Sequence, residues 1–339
     1  MVEYFYGKPL DIMKLKGNIQ KDYKKQVKFW KKKASVLYEV SKLHEQCDLC
    51  KSKKYNIVGK IHGWPWHQCE DCSNAYIGRR VPDEKLIDIY DTTGDEIDYS
   101  ETYTDDSVQE YRMTHATKPK MEFIKRFSPE PPAKWLDVGA GCGDLLYLAK
   151  QEGYQVEGIE VSRASVQLSK NKWNIDLFQG TFEQFQTTNN KKRDVITILG
   201  LLDLIPNPDK VVEKIYSMLA KQGTLAISVP NFDCFSTAVQ FAFPDQVICR
   251  HIYPSIFLNV FTEEAITKFL NKCGFDIHAI WYFGMDVYEF INNMSILRDD
   301  KPFQNLIALL RKYDNDLQLI FDREKLSEEM FIIAQKKTS

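Results

Sequence analysis

Two sets of residues in this chain have types and spacings that can do chemistry. The first is a pair of C-x-x-C turns, "CDLC" (Cys47, Cys50) and "CEDC" (Cys69, Cys72), with eighteen residues between them. Each turn presents two thiolates at adjacent corners of a tetrahedron, and the spacing fits a four-cysteine zinc site. Four thiolates leave no open coordination position, so a metal held here is expected to be structural. Its binding would supply folding free energy on the order of 10 kcal/mol to a unit too small for a core of its own. The alternative is a set of paired, reduced cysteines. His44, His62 and His67 lie close enough in sequence to compete as ligands, but a complete thiolate set makes them surface or packing histidines.

The second set is "LDVGAGCGD", Leu136 to Asp144. Gly139, Gly141 and Gly143, with Ala140 between the first two, let a backbone turn sharply and approach a ligand without Cβ interference. A dinucleotide fingerprint would place a third glycine or alanine where this chain has Asp144, and a carboxylate there disfavours a pyrophosphate on the helix N-terminus. Glu160 follows about twenty residues on, where an acidic side chain accepts both ribose hydroxyls of an adenosine. The expected ligand is therefore a nucleoside without a diphosphate. A purely structural tight turn and a nicotinamide site are the alternatives.

These residues need elements to position them. After "SPEPP" (128–132) short apolar runs alternate with helical stretches, and the pattern predicts strands at 134–140, 155–161, 176–180, 194–200 and 224–230. Helices are expected at 144–152, 162–172, 208–220 and 262–273, and further strands at 275–283 and 329–337. That alternation implies an α/β fold with a parallel sheet covered by helices. Residues 14–43 predict an amphipathic helix, open to a break, with apolar Val27, Trp30, Leu37 and Val40 among lysines. Its lysine face is either solvated or a contact for a charged partner. The expected organisation is an N-terminal helical extension (1–44), a zinc ribbon (45–80), a connector with lid character (81–130) and a nucleoside-binding domain (131–339) carrying a helical insertion near 285–327.

Bulk properties narrow the class. The chain has 339 residues and a formal charge of −2, which gives no global attraction to nucleic acid or anionic membrane. Its first residues lack the pattern of a secretory signal and no apolar run is long enough to span a bilayer, so a cytoplasmic location is expected. Cys142, Cys234, Cys249 and Cys273 are scattered through core-like segments, which suits buried thiols in a reducing compartment rather than a disulfide framework.

"LDVGAGCGDLLYLA" followed by "VEGIEVS" resembles motif I and the acidic second strand of class I S-adenosylmethionine-dependent methyltransferases. "DVITILGLLDLIPNPDKVVEKIYSMLAKQGTLAISVPN" is similar to that family's fourth strand, the loop after it and the fifth strand. The resemblance runs from about Lys134 to Lys337. It implies a Rossmann-like, seven-stranded sheet with S-adenosylmethionine at the glycine loop. By this resemblance Gly139, Ala140, Gly141 and Gly143 would face the methionine part, Asp137 would order the loop or the bound amino group, and Glu160 would take the ribose. Thr181 stands where relatives often place an acidic residue on the adenine, so the adenine would rest on backbone and Phe182. Gly200 and Leu201 open the loop after the fourth strand, where Asp203-Leu204 replaces the Glu-His of many relatives.

The order of ribbon, "VPDEKLIDIYD", tyrosine-rich stretch and core is similar to bacterial zinc-ribbon methyltransferases of polysaccharide and antibiotic-sugar pathways. "RHIYPSIFLNVFTEEAITKFLNKCGF" and the closing "NDLQLIFDREKLSEEMFIIAQKK" resemble segments of the same proteins. Relatives that methylate sugar carbon carry a further C-terminal domain, so their substrate and reaction are not carried over. The resemblance implies methyl transfer to a small-molecule acceptor, a sugar or a sugar-nucleotide or glycan-pathway intermediate, with O-, N- and C-methylation left open. His251 is the candidate base and Asp203 the candidate that positions the acceptor or the histidine; Tyr99 and Tyr103 could close over the pocket, and Cys142 is a small filler. Two other readings stay open: an RNA methyltransferase gripping phosphates with the ribbon and the lysine-rich helix, and a non-catalytic binding protein. No membrane partner is expected; oligomerisation is left open.

Overall fold

The computed structural model describes residues 1–16, 23–85, 105–186, 192–254 and 256–337. Tyr99, Tyr103 and most of the connector's first half lie outside them. Along the chain the strands are β1 (Glu3–Tyr6), β2 (Lys42–Leu43), β3 (Tyr55–Ile61), β4 (Trp64–Cys69), β5 (Ala75–Ile77) and β6 (Arg79–Arg80). They continue as β7 (Lys134–Val138), β8 (Gln155–Glu160), β9 (Phe178–Gln179), β10 (Arg193–Leu199), β11 (Leu219–Pro230), β12 (Asn259–Val260), β13 (Phe275–Phe283) and β14 (Glu329–Lys336).

Eight strands form the main sheet in the order β1-β13-β14-β11-β10-β7-β8-β9. All neighbours run parallel except β14, which is antiparallel to both β11 and β13. Largely apolar runs such as "VITI" in β10 and "FIIA" in β14 are buried on both faces, as strands covered by helices must be. The chain winds outward from β7 to β9 and then returns to add β10 on the other side of β7. Strand order reverses there, and the carboxyl ends of β7 and β10 open the crevice in which such sheets bind ligands.

The expected seven-stranded sheet has an eighth strand, β1, which pairs parallel to β13 with Glu3 opposite Ala279. Its sequence, "EYFY", is too short for a period to show, and its place is decided by tertiary contacts. Phe5 meets Phe123 edge-on at 5.0 Å, while the Tyr4 hydroxyl donates to Glu263.

A second sheet, in the order β12-β5-β4-β3, contains the cysteine-rich unit. The β3–β4 hairpin turns at His62-Gly63, and the fully buried Trp64 donates from Nε1 to the Ala34 carbonyl at 3.2 Å. That bond ties the sheet to the helix Tyr23–Val40, which buries Gln26, Val27 and Ala34 and leaves much of its lysine face in solvent. This helix is shorter than the expected 14–43 span: a separate short helix, Ile12–Lys16, precedes it, and Leu43 belongs to β2. Three helices, Asp286–Leu297, Lys301–Arg311 and Asp314–Arg323, connect β13 to β14. Among the described residues no helix is long and apolar enough to cross a membrane.

Candidate functional site

The glycine loop leaves β7 and enters the helix Asp144–Gln151. Gly141 and Gly143 both sit in the left-handed region, at φ +54° and +81°. A Cβ on Gly143 would fall 2.5 Å from Ser169 Oγ, whereas one on Gly141 would meet nothing within 4 Å. Gly143→Ala is therefore expected to cost about 2–4 kcal/mol, combining left-handed strain with overpacking, and Gly141→Ala only about 1–2 kcal/mol. Denaturant unfolding checks this; equal losses at the two positions would contradict it.

The loop's amides are largely committed within the fold. Gly139 N and Ala140 N both donate to the Ile159 carbonyl at 2.9 Å, and Gly143 N to the Ala140 carbonyl at 3.0 Å. Gly141 N donates to Glu160 Oε2 at 2.9 Å, and Ser162 N to Glu160 Oε1 at 2.8 Å. Both carboxylate oxygens of Glu160 are thus clamped by backbone, which fixes the side chain at the mouth of a cavity of about 310 Å³ lined by Val138, Gly139, Glu160, Thr181, Phe182 and Leu201. The loop is held open by its own hydrogen bonds, and the cavity's acidic wall is pre-oriented.

Asp137 lies beneath this loop, buried, with Thr197 Oγ1 donating to its Oδ1 at 2.6 Å. Burial, more than the nearby Glu160 charge, pushes its carboxyl up to about 7. Asp144 is held inward: Gln109 Nε2 at 3.2 Å, Trp173 Nε1 at 3.1 Å and the Cys142 thiol at 3.4 Å all donate to Oδ1. The Cys142 thiol is buried and its pKa raised, as suits a filler. Thr181 caps its own turn: Gln184 N donates to its hydroxyl at 3.4 Å, its N–H donates to Gln184 Oε1 at 2.9 Å, and its carbonyl accepts from Phe185 N at 3.2 Å. Asp83, Glu183 and Asn207 also line this cavity. The sequence held no spacing signal for them, because Asp83 reaches the cavity from the connector and Asn207 from the far end of a loop.

A larger cavity of about 510 Å³ adjoins the first, and Leu204 lines both. Gly200, Asp203 and His251, expected from sequence to be near one another, all line it, together with Lys120, Arg250, Glu328 and Glu329, which were not expected. Asp203 sits in a short 3-10 turn, Leu202–Leu204, whose position is fixed by Leu258 N donating to the Asp203 carbonyl at 2.9 Å. Its carboxyl is 1% exposed, and Oδ1 has no hydrogen-bond partner. Burial pushes this carboxyl up to about 7.

His251 lies in the 3-10 turn Arg250–Ile252. Its Nε2 is 2.8 Å from Thr237 Oγ1 and 3.3 Å from Cys234 Sγ; Nδ1 is 3.9 Å from Glu328 Oε2, beyond hydrogen-bond range. Burial pulls the imidazole down to about 4, so the ring is neutral near pH 7. His251, Glu289 and Glu328 are close enough together to suggest a cation site. Arg250 instead bridges the two carboxylates, with Nε 3.0 Å from Glu289 Oε1 and Nη2 on Glu328 Oε1, so the guanidinium already supplies the cation. What remains unpartnered in this cavity is polar: Asp203 Oδ1, His251 Nδ1 and Glu328 Oε2.

Cys47, Cys50, Cys69 and Cys72 converge, with all four sulfurs within 4.8 Å of one another. Cys47 and Cys72 are 3.6 Å apart and Cys50 and Cys69 are 3.4 Å apart. A tetrahedron with metal–sulfur bonds of about 2.3 Å has edges of about 3.8 Å, so the four thiolates could hold a zinc ion with little movement. The two turns are alike: Lys51 N donates to the Cys47 carbonyl and Ser73 N to the Cys69 carbonyl, both at 2.9 Å, and Lys51 and Ser73 each adopt a positive φ. No histidine joins the cluster. His67 is stacked on Tyr55 at 3.9 Å, His44 Nε2 meets Asp48 Oδ1 at 3.2 Å, and His62 is 4.0 Å from Asp245.

The cysteine unit is joined to the larger cavity by backbone. β5 pairs with β12, Ile77 N donates to the Leu258 carbonyl at 3.1 Å, and Leu258 N in turn holds Asp203. Two successive peptide hydrogen bonds therefore run from the ribbon to Asp203.

The methyltransferase-domain family profile matches residues 110–280, just over half of the chain. The ubiquinone biosynthesis O-methyltransferase of Saccharophagus degradans is 27% identical over 128 residues, covering 36% of this chain and 54% of that protein. Its counterpart in Actinobacillus pleuropneumoniae is 32% identical over 107 residues, covering 29% and 46%. The chain thus spans about half the length of the curated relatives it matches. Among solved structures, a SAM-dependent methyltransferase of Thermotoga maritima is similar with a TM-score of 0.48 at 14% identity, covering 74% of this chain and 100% of that one.

Proposed function

The chain belongs to the methyltransferase-domain family, and from that premise we propose that it transfers a methyl group from S-adenosylmethionine to a hydroxyl of a small, polar acceptor. The observation that carries this reading is the pair of adjoining cavities, one walled by the backbone-clamped Glu160 and the other by Asp203, whose Oδ1 has no hydrogen-bond partner, with Leu204 lining both. Bound against Glu160 and Phe182, S-adenosylmethionine supplies a methyl carbon on a positively charged sulfur.

The chain's own residues do the rest. Holding the acceptor oxygen in line with the methyl carbon can by itself remove roughly 7–11 kcal/mol of the barrier. A hydroxyl must lose its proton as it attacks, and a base works best when its pKa is near the operating pH. Asp203, raised to about 7, fits that task better than His251, lowered to about 4. Asp203 Oδ1 takes the proton, while His251 Nδ1 and Glu328 Oε2 hydrogen-bond further acceptor hydroxyls. Oxygen as the attacked atom is supported by the curated relatives, which are named O-methyltransferases. A sugar or a glycan-pathway intermediate fits the polar residues Asp203, Arg250, His251 and Glu328 that line the acceptor cavity and the resemblance of ribbon, connector and core to sugar-pathway enzymes. One structural zinc ion on Cys47, Cys50, Cys69 and Cys72 belongs to the same reading.

Two experiments test it. Labelled S-adenosylmethionine incubated with nucleotide-linked sugars, small phenols, amines and RNA should label a hydroxylated small molecule; label in RNA alone would contradict the acceptor class. Asp203→Asn should lower kcat by about 10²–10⁴-fold while leaving S-adenosylhomocysteine affinity unchanged. The sign of the pH profile follows from the raised carboxyl: wild-type activity rises as pH increases through about 7, where Asp203 ionises, and levels off above. A wild-type rate flat from pH 5 to 8, on the order of the range a pKa near 7 governs, would remove Asp203 from the role of base.

A further inference from the structure

Behind the acceptor cavity lies a small branch of about 140 Å³ that shares Lys120, Arg250, Glu328 and Glu329 with it and adds Lys8 and Arg112. These cations come from three separate parts of the chain. Lys8 follows β1, Arg112 and Lys120 face the branch from one helical run, and Arg250 enters from the turn it shares with His251. Between Arg112 and Lys120 the helix widens into a π turn, Met113–Thr117, and Ala116 lines the branch between them. Wide turns of this kind recur at functional sites.

The carboxylates here are partly engaged, and Glu328 Oε2 alone among their named oxygens has no hydrogen-bond partner. Glu328 and Glu289 hold Arg250, and Glu329 holds Lys120 at 3.1 Å. The Lys8 ammonium faces the ring of Phe283 at 3.8 Å and that of Trp281 at 5.9 Å, and among the described residues it makes no ion pair or hydrogen bond. Burial first, and then the Lys120 charge, pull its pKa well below the ordinary lysine value. The Glu329 carboxylate opposes that pull while Arg250 and Arg112 add to it, and a half-buried ammonium facing three cations and one carboxylate is costly unless a further anion completes the group.

We propose that this branch binds the anionic group, a phosphate or a carboxylate, of the methyl acceptor, with Lys8, Arg112 and Lys120 as its receptors. The proposal rests on the methyltransferase reading for the word acceptor, and on the cavity alone for the anion. It narrows the acceptor to a hydroxylated molecule bearing one small oxyanion, placed so that its hydroxyls reach Asp203 and His251 while the charge sits in the branch.

The test uses the full chain and two probes, inorganic phosphate and acetate, titrated calorimetrically beside S-adenosylhomocysteine. Saturable binding of phosphate is expected if the group is a phosphate, and of acetate with equal or greater affinity if it is a carboxylate. Lys8→Gln should weaken the preferred anion by about tenfold or more, Lys8→Arg should restore it, and S-adenosylhomocysteine should bind all three proteins alike. Failure of both anions to saturate wild-type protein that still binds S-adenosylhomocysteine overturns the anion site and spares the methyltransferase reading. Undiminished anion binding by folded Lys8→Gln overturns it equally. Anion binding without S-adenosylhomocysteine binding would overturn the methyltransferase reading and leave the anion site standing.

Discussion

Glu160→Ala is expected to raise the dissociation constant for S-adenosylhomocysteine by about 10²-fold or more, since each hydrogen bond to a charged group is worth about 1.5–3 kcal/mol. Two effects add. The carboxylate that would accept the ribose hydroxyls is removed, and the amides of Gly141 and Ser162, which it holds at 2.9 and 2.8 Å, are released. The second effect loosens the turn at the point where no side chain fills the space around Gly141. Glu160→Gln keeps the shape and one acceptor oxygen, so its loss should be intermediate. Calorimetry on both variants, with thermal unfolding beside it to show that each remains folded, separates ligand binding from collapse. Equal affinity of Glu160→Ala and wild type would mean that the ligand does not sit against this strand.

Loss of the cysteine centre should have the other large effect. Cys47 is fully buried, and Cys47, Cys69 and Cys72 belong to the same apolar cluster as Phe261, Ala265 and Phe269 of the larger fold. A metal on these sulfurs contributes folding free energy on the order of 10 kcal/mol, far more than the local packing of a short three-stranded unit. Cys47→Ser, or stripping by a strong chelator, is expected to lower the melting temperature, expose Trp64 and Trp66 to quenchers and abolish methyl transfer. The loss of transfer should precede global unfolding, because β5 pairs with β12, and Leu258 N, next to β12, holds the Asp203 carbonyl. Metal analysis of reduced wild-type protein should give one zinc per chain. Wild-type protein free of metal, with Cys47→Ser melting at the same temperature, would contradict the account of this centre.

The parts of the fold legible in the sequence are those written in local patterns. β7, the glycine loop and the helix after it lie where a short apolar run, three spaced glycines and a helical period place them, and Glu160 ends β8 at the expected position. The cysteine pairs were legible because their spacing is set by the turn that presents two sulfurs. What stayed hidden depends on tertiary approach. β1 is four residues, a glutamate and three consecutive aromatics, whose partner, β13, is about 270 residues away, and nothing local announces the pairing. Lys8, Arg112, Lys120, Arg250 and Glu328 carry no common spacing, and their proximity exists only once β1, the helix before β7 and the start of β14 surround one cavity. The contrast between Asp203 and His251 was also invisible, since burial raises one and lowers the other, and burial is a property of the fold.

The central claim, that the crevice at the ends of β7 and β10 takes S-adenosylmethionine, is tested most directly by titrating the folded wild-type chain with S-adenosylmethionine in a calorimeter. The account predicts saturable binding at one site per chain, reproduced by S-adenosylhomocysteine. Absence of heat from both, in protein whose thermal unfolding shows it intact, would contradict it.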